Sequence, residues 1–159
     1  MPKATHFLDL DATGQLEALA AKEVSSAELL TAAMARHEQQ KGRLNAVVTT
    51  DPERALGRAT EIDNARAKGG KLGPLAGLPM TVKDTFDVVG MPASAGVKSF
   101  LGREAKDADV VAGARAAGAV IWGKTNVPVM AGDYQSYNAV YGATNNPWDL
   151  ERTPGGSSG

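Results

Sequence analysis

The sequence predicts an α/β fold, on three observations. Stretches with helical apolar spacing alternate with short β-favouring runs, the pattern of helices laid on a sheet. A mainly helical front, residues 1–70, passes into an α/β part rich in Gly and Pro, residues 71–159, which holds the most apolar strand. No linker composition separates the two, and 159 residues make one compact domain and no more.

The elements support that class in order. Leu16, Leu19 and Ala20 share one face of a first helix, running from about Asp11 or Thr13 to Lys22. Ser25-Ser26-Ala27-Glu28 is a capping box, in which the serine caps the first turn and the glutamate reaches back. Leu29, Leu30, Ala33 and Met34 form the stripe of this second helix, which should fray by Lys41-Gly42. Residues 44–50, LNAVVTT, favour a strand. Asp51 as N-cap and Pro52 at the first helical position start a third helix. It carries Ala55, Leu56, Ala59 and Ile62 and should end near Lys68-Gly69-Gly70. After a stiff loop at 73–79, residues 80–83, MTVK, are a short strand, and 84–105 are loop. Residues 106–117 are helical, with Val110, Val111 and Ala114 inward. Gly118 ends that helix, and residues 119–122, AVIW, form a strand buried on both faces. A long loop region follows with Tyr134, Tyr137 and Tyr141, and with Trp148 as the apolar anchor of NNPWDL. The chain closes on TPGGSSG.

Composition removes several classes of function. With 43% hydrophobic and 22% charged residues the chain is an ordinary globular protein, and a net charge of −1 gives no basic surface for nucleic acid or an anionic membrane. No apolar run reaches the length of a membrane span, and residues 1–10 lack the apolar core of a secretory signal. The absence of Cys removes disulfides, thiolate metal sites and Cys nucleophiles, and fits a cytoplasmic location. His6 and His37 lie far apart without metal-ligand spacing. His37, beside Glu38, Gln39 and Gln40, reads as a solvated helix residue, so a catalytic base is not expected to be His.

One motif points to another class. GAVIWGKT, from Gly118 to Thr125, spells the phosphate-loop pattern and suggests an NTP-binding domain. That mechanism needs a strand before the first Gly, a pliable loop, and a helix starting at the Lys-Thr pair. Here a helix precedes Gly118, a strand fills the four intervening residues, and Pro128 disfavours helical geometry at Val127. The order is inverted, and a helix–turn–strand unit is the better reading.

Three segments carry chemistry. In GPLAGLPMTVKD, Lys83 ends an apolar strand beneath a Gly/Pro loop, where burial disfavours a charged amine; a neutral lysine can act as general base. The plainer reading pairs Lys83 with a carboxylate such as Asp84. In TPGGSSG, glycines beside serines permit unusual backbone shapes and close approach of a ligand, against the alternative of a flexible tail. Asn126, just after the buried strand, is placed to orient loops around a pocket.

GPLAGLPMTVKD, DVVAGARAAGAVIWGKTN, YGATNNPWD and TPGGSSG, in that order and spacing, resemble the amidase signature family, strongly over residues 73–159 and more loosely through the first helices. The resemblance implies a fold with a mixed β-sheet core covered by helices, of which this chain is an N-terminal portion, an incomplete domain. It implies a Ser–Ser–Lys triad that hydrolyses the amide bond of a small molecule to a carboxylate and ammonia or an amine, with no metal or organic cofactor. By match to the family motifs Lys83 is the base and Ser157 the middle serine, which in the family follows a cis peptide, here Gly156–Ser157. Ser158 and Gly159 are expected to shape the same loop against substrate. The family's nucleophile is a second serine on a later glycine-rich loop, expected to lie beyond Gly159, so the chain alone should be inactive. None of Ser94, Ser99 or Ser136 has the required context. Family members that amidate charged tRNA often carry an acidic residue where this chain has Val129, which favours a free-standing amidase over the A subunit of a glutamyl-tRNA amidotransferase. The expected partners are the small amide, and either a second copy of the chain or a complementing C-terminal chain; a non-catalytic scaffold is the remaining alternative.

Overall fold

The computed structural model describes residues 4–103 and 105–158, so Gly159, assigned above to the serine loop, lies outside the described residues. Helix α1 (Ala12–Ala20) is capped by the Asp11 carboxylate, which accepts from the Gly14 amide at 2.8 Å. Helix α2 (Ser26–Leu44) starts at the predicted box. Ser25 Oγ accepts from the Glu28 amide at 3.2 Å, and the Glu28 carboxylate accepts from the Ser25 amide at 3.0 Å. The helix outlasts its expected fray at Gly42 and stops only at Asn45, which takes a left-handed conformation with φ +51°. Strand β1 (Val47–Thr50) is shortened accordingly. Helix α3 (Pro52–Ala67) and strand β2 (Pro79–Lys83) follow as predicted.

Helix α4 (Asp109–Ala116) is shorter than the predicted 106–117. The segment before it is held by hydrogen bonds rather than coiled: the Asp107 carboxylate accepts from the Val89 amide at 2.8 Å, and the Ala108 amide donates to Asp87 O at 3.0 Å. Val111 is buried, but Val110 is 57% exposed instead of facing inward. Gly118, at φ +99°, ends the helix. Strand β3 (Val120–Thr125) continues three residues past AVIW, through Gly123 and Lys124. A hairpin of β4 (Tyr137–Asn138) and β5 (Gly142–Ala143) completes the regular structure.

The larger sheet has the order β1-β3-β2. β1 runs antiparallel to β3, with Val47 opposite Thr125 and Thr50 opposite Gly123. Hydrogen bonds from Val120 to Leu78 and from Asp84 to Thr125 step the same way along β2 and β3, so the sheet is mixed.

The chain gathers into two compact units that interleave in sequence. The first comprises residues 1–37, 52–80 and 112–122. Its core is apolar: Ala18, Leu19, Val24, Leu29 and Ala32 are buried, with Phe7, Leu8 and Leu16 packed on them. α3 secures the start of α2, because the Asp63 carboxylate accepts from the Ser26 and Ala27 amides at 2.8 and 3.0 Å. His37 is half-buried with its ring 5.6 Å from that of Trp122, not the solvated residue the sequence suggested. The second unit comprises residues 38–51, 81–111 and 123–159. It contains a buried polar set: Asp84, Ser94, Lys124, Asn126, Ser136, Asn138 and Thr144.

Candidate active site

Lys83 is the last residue of β2 and is half-buried. The residue after it fixes where the strand ends. The Asp84 amide donates to Thr125 O at 3.0 Å, while the Asp84 side chain turns into the interior and is fully buried. There its carboxylate accepts from Ser94 Oγ at 2.6 Å and pairs with Lys124 Nζ at 3.1 Å. Lys124, also fully buried, donates to Pro92 O at 2.6 Å and to Asp84 O at 3.3 Å. Burial pushes the Lys124 ammonium below its ordinary value, opposed by the Asp84 carboxylate beside it.

This arrangement resolves two sequence alternatives. Asp84 takes Lys124 as its cationic partner rather than Lys83. The lysine of the phosphate-loop spelling therefore sits in an internal ion pair, and Gly123-Lys124-Thr125 is strand rather than a loop around an anion. Lys83 points elsewhere, and its Nζ donates to Ser157 Oγ at 2.7 Å.

Ser157 is held by a loop whose backbone calls for glycine at the two positions before it. Gly155 has φ +95°, and the Gly156–Ser157 peptide is cis. A Cβ on Gly156 would lie 2.5 Å from Asp133 O and 2.7 Å from the Tyr134 carbonyl carbon, so the backbone of residues 133–134 requires glycine there. Ser136, fully buried, donates from Oγ to Gly155 O at 2.9 Å. On the other side of Ser157, Thr125 Oγ1 donates to Ser158 O at 3.2 Å. Ser157 also lines a cleft of about 310 Å³, together with Ala131, Gly132, Asp133, Tyr134 and Gly156.

Asn126 organises the loops beneath. Its Nδ2 donates to Gly142 O at 3.1 Å and Thr144 Oγ1 at 3.0 Å, and its Oδ1 accepts from Asn138 Nδ2 at 2.7 Å. Asn138 Oδ1 in turn accepts from the Val140 and Tyr141 amides. Every polar atom of this buried pair has a partner, so it fixes the loop shape instead of straining it.

The other serines are differently employed. Ser94 and Ser136 are buried in the contacts just described, and Ser99 lies exposed in the 3₁₀ turn Lys98–Phe100. Ser158 is exposed and contributes its carbonyl to the loop. Among the described residues no three His, Asp or Glu side chains converge as a metal site, and no helix is long and apolar enough to cross a membrane. The sequence reading met Thr125 only as the end of the phosphate-loop spelling and Ser136 only as a serine without a nucleophile's context, so their contacts with the serine loop went unread; the one available signal was Thr125's place between Lys124 and Asn126. Trp148, read as an anchor, is 93% exposed. The turn it belongs to is tied by its neighbours, with Asn145 Nδ2 donating to Arg43 O at 2.7 Å.

What this arrangement can do is transfer a proton. An amine and a hydroxyl 2.7 Å apart, beside an open cleft, are within range for exchange along one hydrogen bond.

Known proteins share the pattern. The family model described as Amidase matches residues 28–159. The A subunit of glutamyl-tRNA(Gln) amidotransferase from Thermobifida fusca (strain YX) is 41% identical over 156 residues, 98% of this chain and 31% of its own length. The protein of the same name from Natranaerobius thermophilus is 43% identical over 138 residues, 85% of this chain and 28% of its own length. Among solved structures, native peptide amidase from Stenotrophomonas maltophilia superposes with a TM-score of 0.89 at 33% identity, covering 97% of this chain and 33% of that one. The 6-aminohexanoate cyclic dimer hydrolase gives 0.83 at 35% identity, over 94% and 30%. The chain thus spans about a third of the length of the relatives it matches.

Proposed function

Because the chain belongs to the amidase family, we propose that it carries the lysine and the middle serine of a Ser–Ser–Lys relay that hydrolyses the C–N bond of a small amide. The observation that supports this most is the 2.7 Å contact of Lys83 Nζ with Ser157 Oγ, beside Gly156, where a Cβ would clash with the backbone of residues 133–134. In the proposed reaction neutral Lys83 takes the Ser157 hydroxyl proton while Ser157 takes that of the attacking serine. The serinate adds to the amide carbonyl. The C–N bond then breaks, with the relayed proton delivered to the departing nitrogen. Water attacks the acyl-enzyme through the same relay and releases the carboxylate. The attacking serine and its oxyanion donors are assigned to a part of the fold outside this chain. Ser158 and Gly159 are assigned to the substrate side of the loop, and the cytoplasm is the proposed compartment.

A second reading rests on the relatives' names. Proteins that match 85% or more of this chain at 41–43% identity are named as the A subunit of a glutamyl-tRNA(Gln) amidotransferase, which points to a role within a larger assembly. Val129 in place of an acidic residue favours the free-standing small-amide enzyme.

One experiment tests the proposal. Residues 1–159 are assayed for ammonia release from a simple aryl amide, alone and joined to the C-terminal two thirds of the Thermobifida fusca relative. The chain alone is expected to match its Lys83→Ala control. The chimaera is expected to be active and to lose about 10²–10⁴-fold on Lys83→Ala or Ser157→Ala, the usual worth of a positioned proton-transfer group. An active chimaera indifferent to both substitutions would end the relay reading.

A further inference from the structure

Lys83 and Ser157 are 74 residues apart in sequence, and something must hold them at hydrogen-bond distance. One residue touches the chain immediately after each of them. The Thr125 carbonyl accepts the amide of Asp84, the residue following Lys83, at 3.0 Å. The Thr125 hydroxyl donates to the carbonyl of Ser158, the residue following Ser157, at 3.2 Å. We propose that Thr125 is a positioning residue, which sets the Lys83–Ser157 contact by tying both flanking residues to itself.

Thr125 is well placed to be a fixed reference. It closes β3 and lies opposite Val47 in the β1 pairing. The residue before it, Lys124, is anchored in the interior by Asp84, and the residue after it, Asn126, by Thr144 and Asn138. A residue with both neighbours locked cannot drift, so its carbonyl and hydroxyl define one fixed spacing between the β2 end and the serine loop. Ser136 grips that loop a second time, from the opposite side of Ser157, through Gly155 O. The carbonyl contact fixes the lysine side and the hydroxyls fix the serine side. Only the hydroxyls depend on side-chain identity, so they can be tested by substitution.

The inference rests on the relay reading, and the test separates the two. Lys83 is labelled in the purified chain by a trace of acetic anhydride across a range of pH. Its rate is read by mass spectrometry relative to exposed Lys98. An amine held by Ser157 is slowed, and releasing it should raise its rate about threefold or more, as expected for one ordinary hydrogen bond. Ser157→Ala is the reference for full release. Thr125→Val, which keeps the branched shape and strand preference, is expected to raise the Lys83 rate toward that reference and to change its pH profile. Thr125→Ser, which restores the hydroxyl, is expected to return both to the parent values. A merely structural role would move the melting temperature without this rescue. If Ser157→Ala speeds labelling while Thr125→Val does not, the positioning role is overturned and the relay stands. If Ser157→Ala is itself without effect, there is no contact for Thr125 to set, and both fall. Should Thr125→Val unfold, Thr125→Ala removes the same hydroxyl contact with Ser158 O and is read in its place. A silent Thr125→Ala beside a responsive Ser157→Ala likewise overturns the proposal.

Discussion

A fully buried lysine is the most consequential single residue of the second unit. Lys124 meets Asp84 in an ion pair from which water is excluded on both sides. Such pairs add little net stability against an apolar substitute, but removing one partner strands the other charge. Lys124→Met is therefore expected to destabilise the chain by about 3–5 kcal/mol, measured by urea unfolding. Lys124 adds a pH dependence whose sign is fixed. Its value is lowered in the folded protein from an ordinary 10.5, so between the two values the unfolded chain binds more protons. Stability from this group should then rise as pH climbs toward 10.5 and level off above it, and Lys124→Met should abolish the rise. That Lys83 and Ser157 meet was legible in the sequence, because each lies inside a compact motif that resembles a family's. The Asp84–Lys124 pair was not, although both residues were in view. Its members are 40 positions apart, and adjacency made Lys83 the obvious partner for Asp84. The turn after β2 decides the matter physically: Lys83 closes the strand and reaches Ser157, while Asp84 opens the turn and pairs with Lys124 in the interior.

At the scale of elements, local chemistry was read well and tertiary restraint poorly. The capping box of α2 involves residues three apart and folded as spelled. Ser25→Ala should cost about 1 kcal/mol, visible as a lower urea midpoint with an unchanged slope; a shift under a few tenths would mean that Asp63, reaching the Ser26 and Ala27 amides from α3, caps this helix unaided. That second cap was invisible in the sequence because its spacing of 37 residues has no local signature. The same limit explains the short α4. Apolar spacing over residues 106–117 fitted a helix, but Asp107 bonds the Val89 amide and holds the segment out of the helix. It also explains β3, which was expected to span only residues 119–122. A Cβ at Gly123 would come 2.8 Å from Val47 Cγ1, so the glycine lets β1 approach, and β3 continues.

At the scale of the whole molecule, this chain spans about a third of the relatives' length and bears apolar side chains in solvent. Met130, Tyr134 and Trp148 are 62%, 84% and 93% exposed, values that stand out among large side chains with so much apolar surface. If the remaining two thirds of the amidase fold covers Trp148, the two tryptophans offer a direct reading. Trp122 is 6% exposed and Trp148 is 93% exposed, and there are no others. In residues 1–159 alone, acrylamide should quench the Trp148 emission freely and leave that of Trp122 largely untouched, with Trp148→Phe separating the two signals. In the chimaera, with the tryptophans of the relative's portion replaced by phenylalanine, covering this residue should shift the Trp148 emission to shorter wavelength and protect it from quencher. Restored amide hydrolysis with Trp148 still fully quenchable would show that the catalytic parts meet elsewhere, and that Trp148 faces solvent in the assembled enzyme as well.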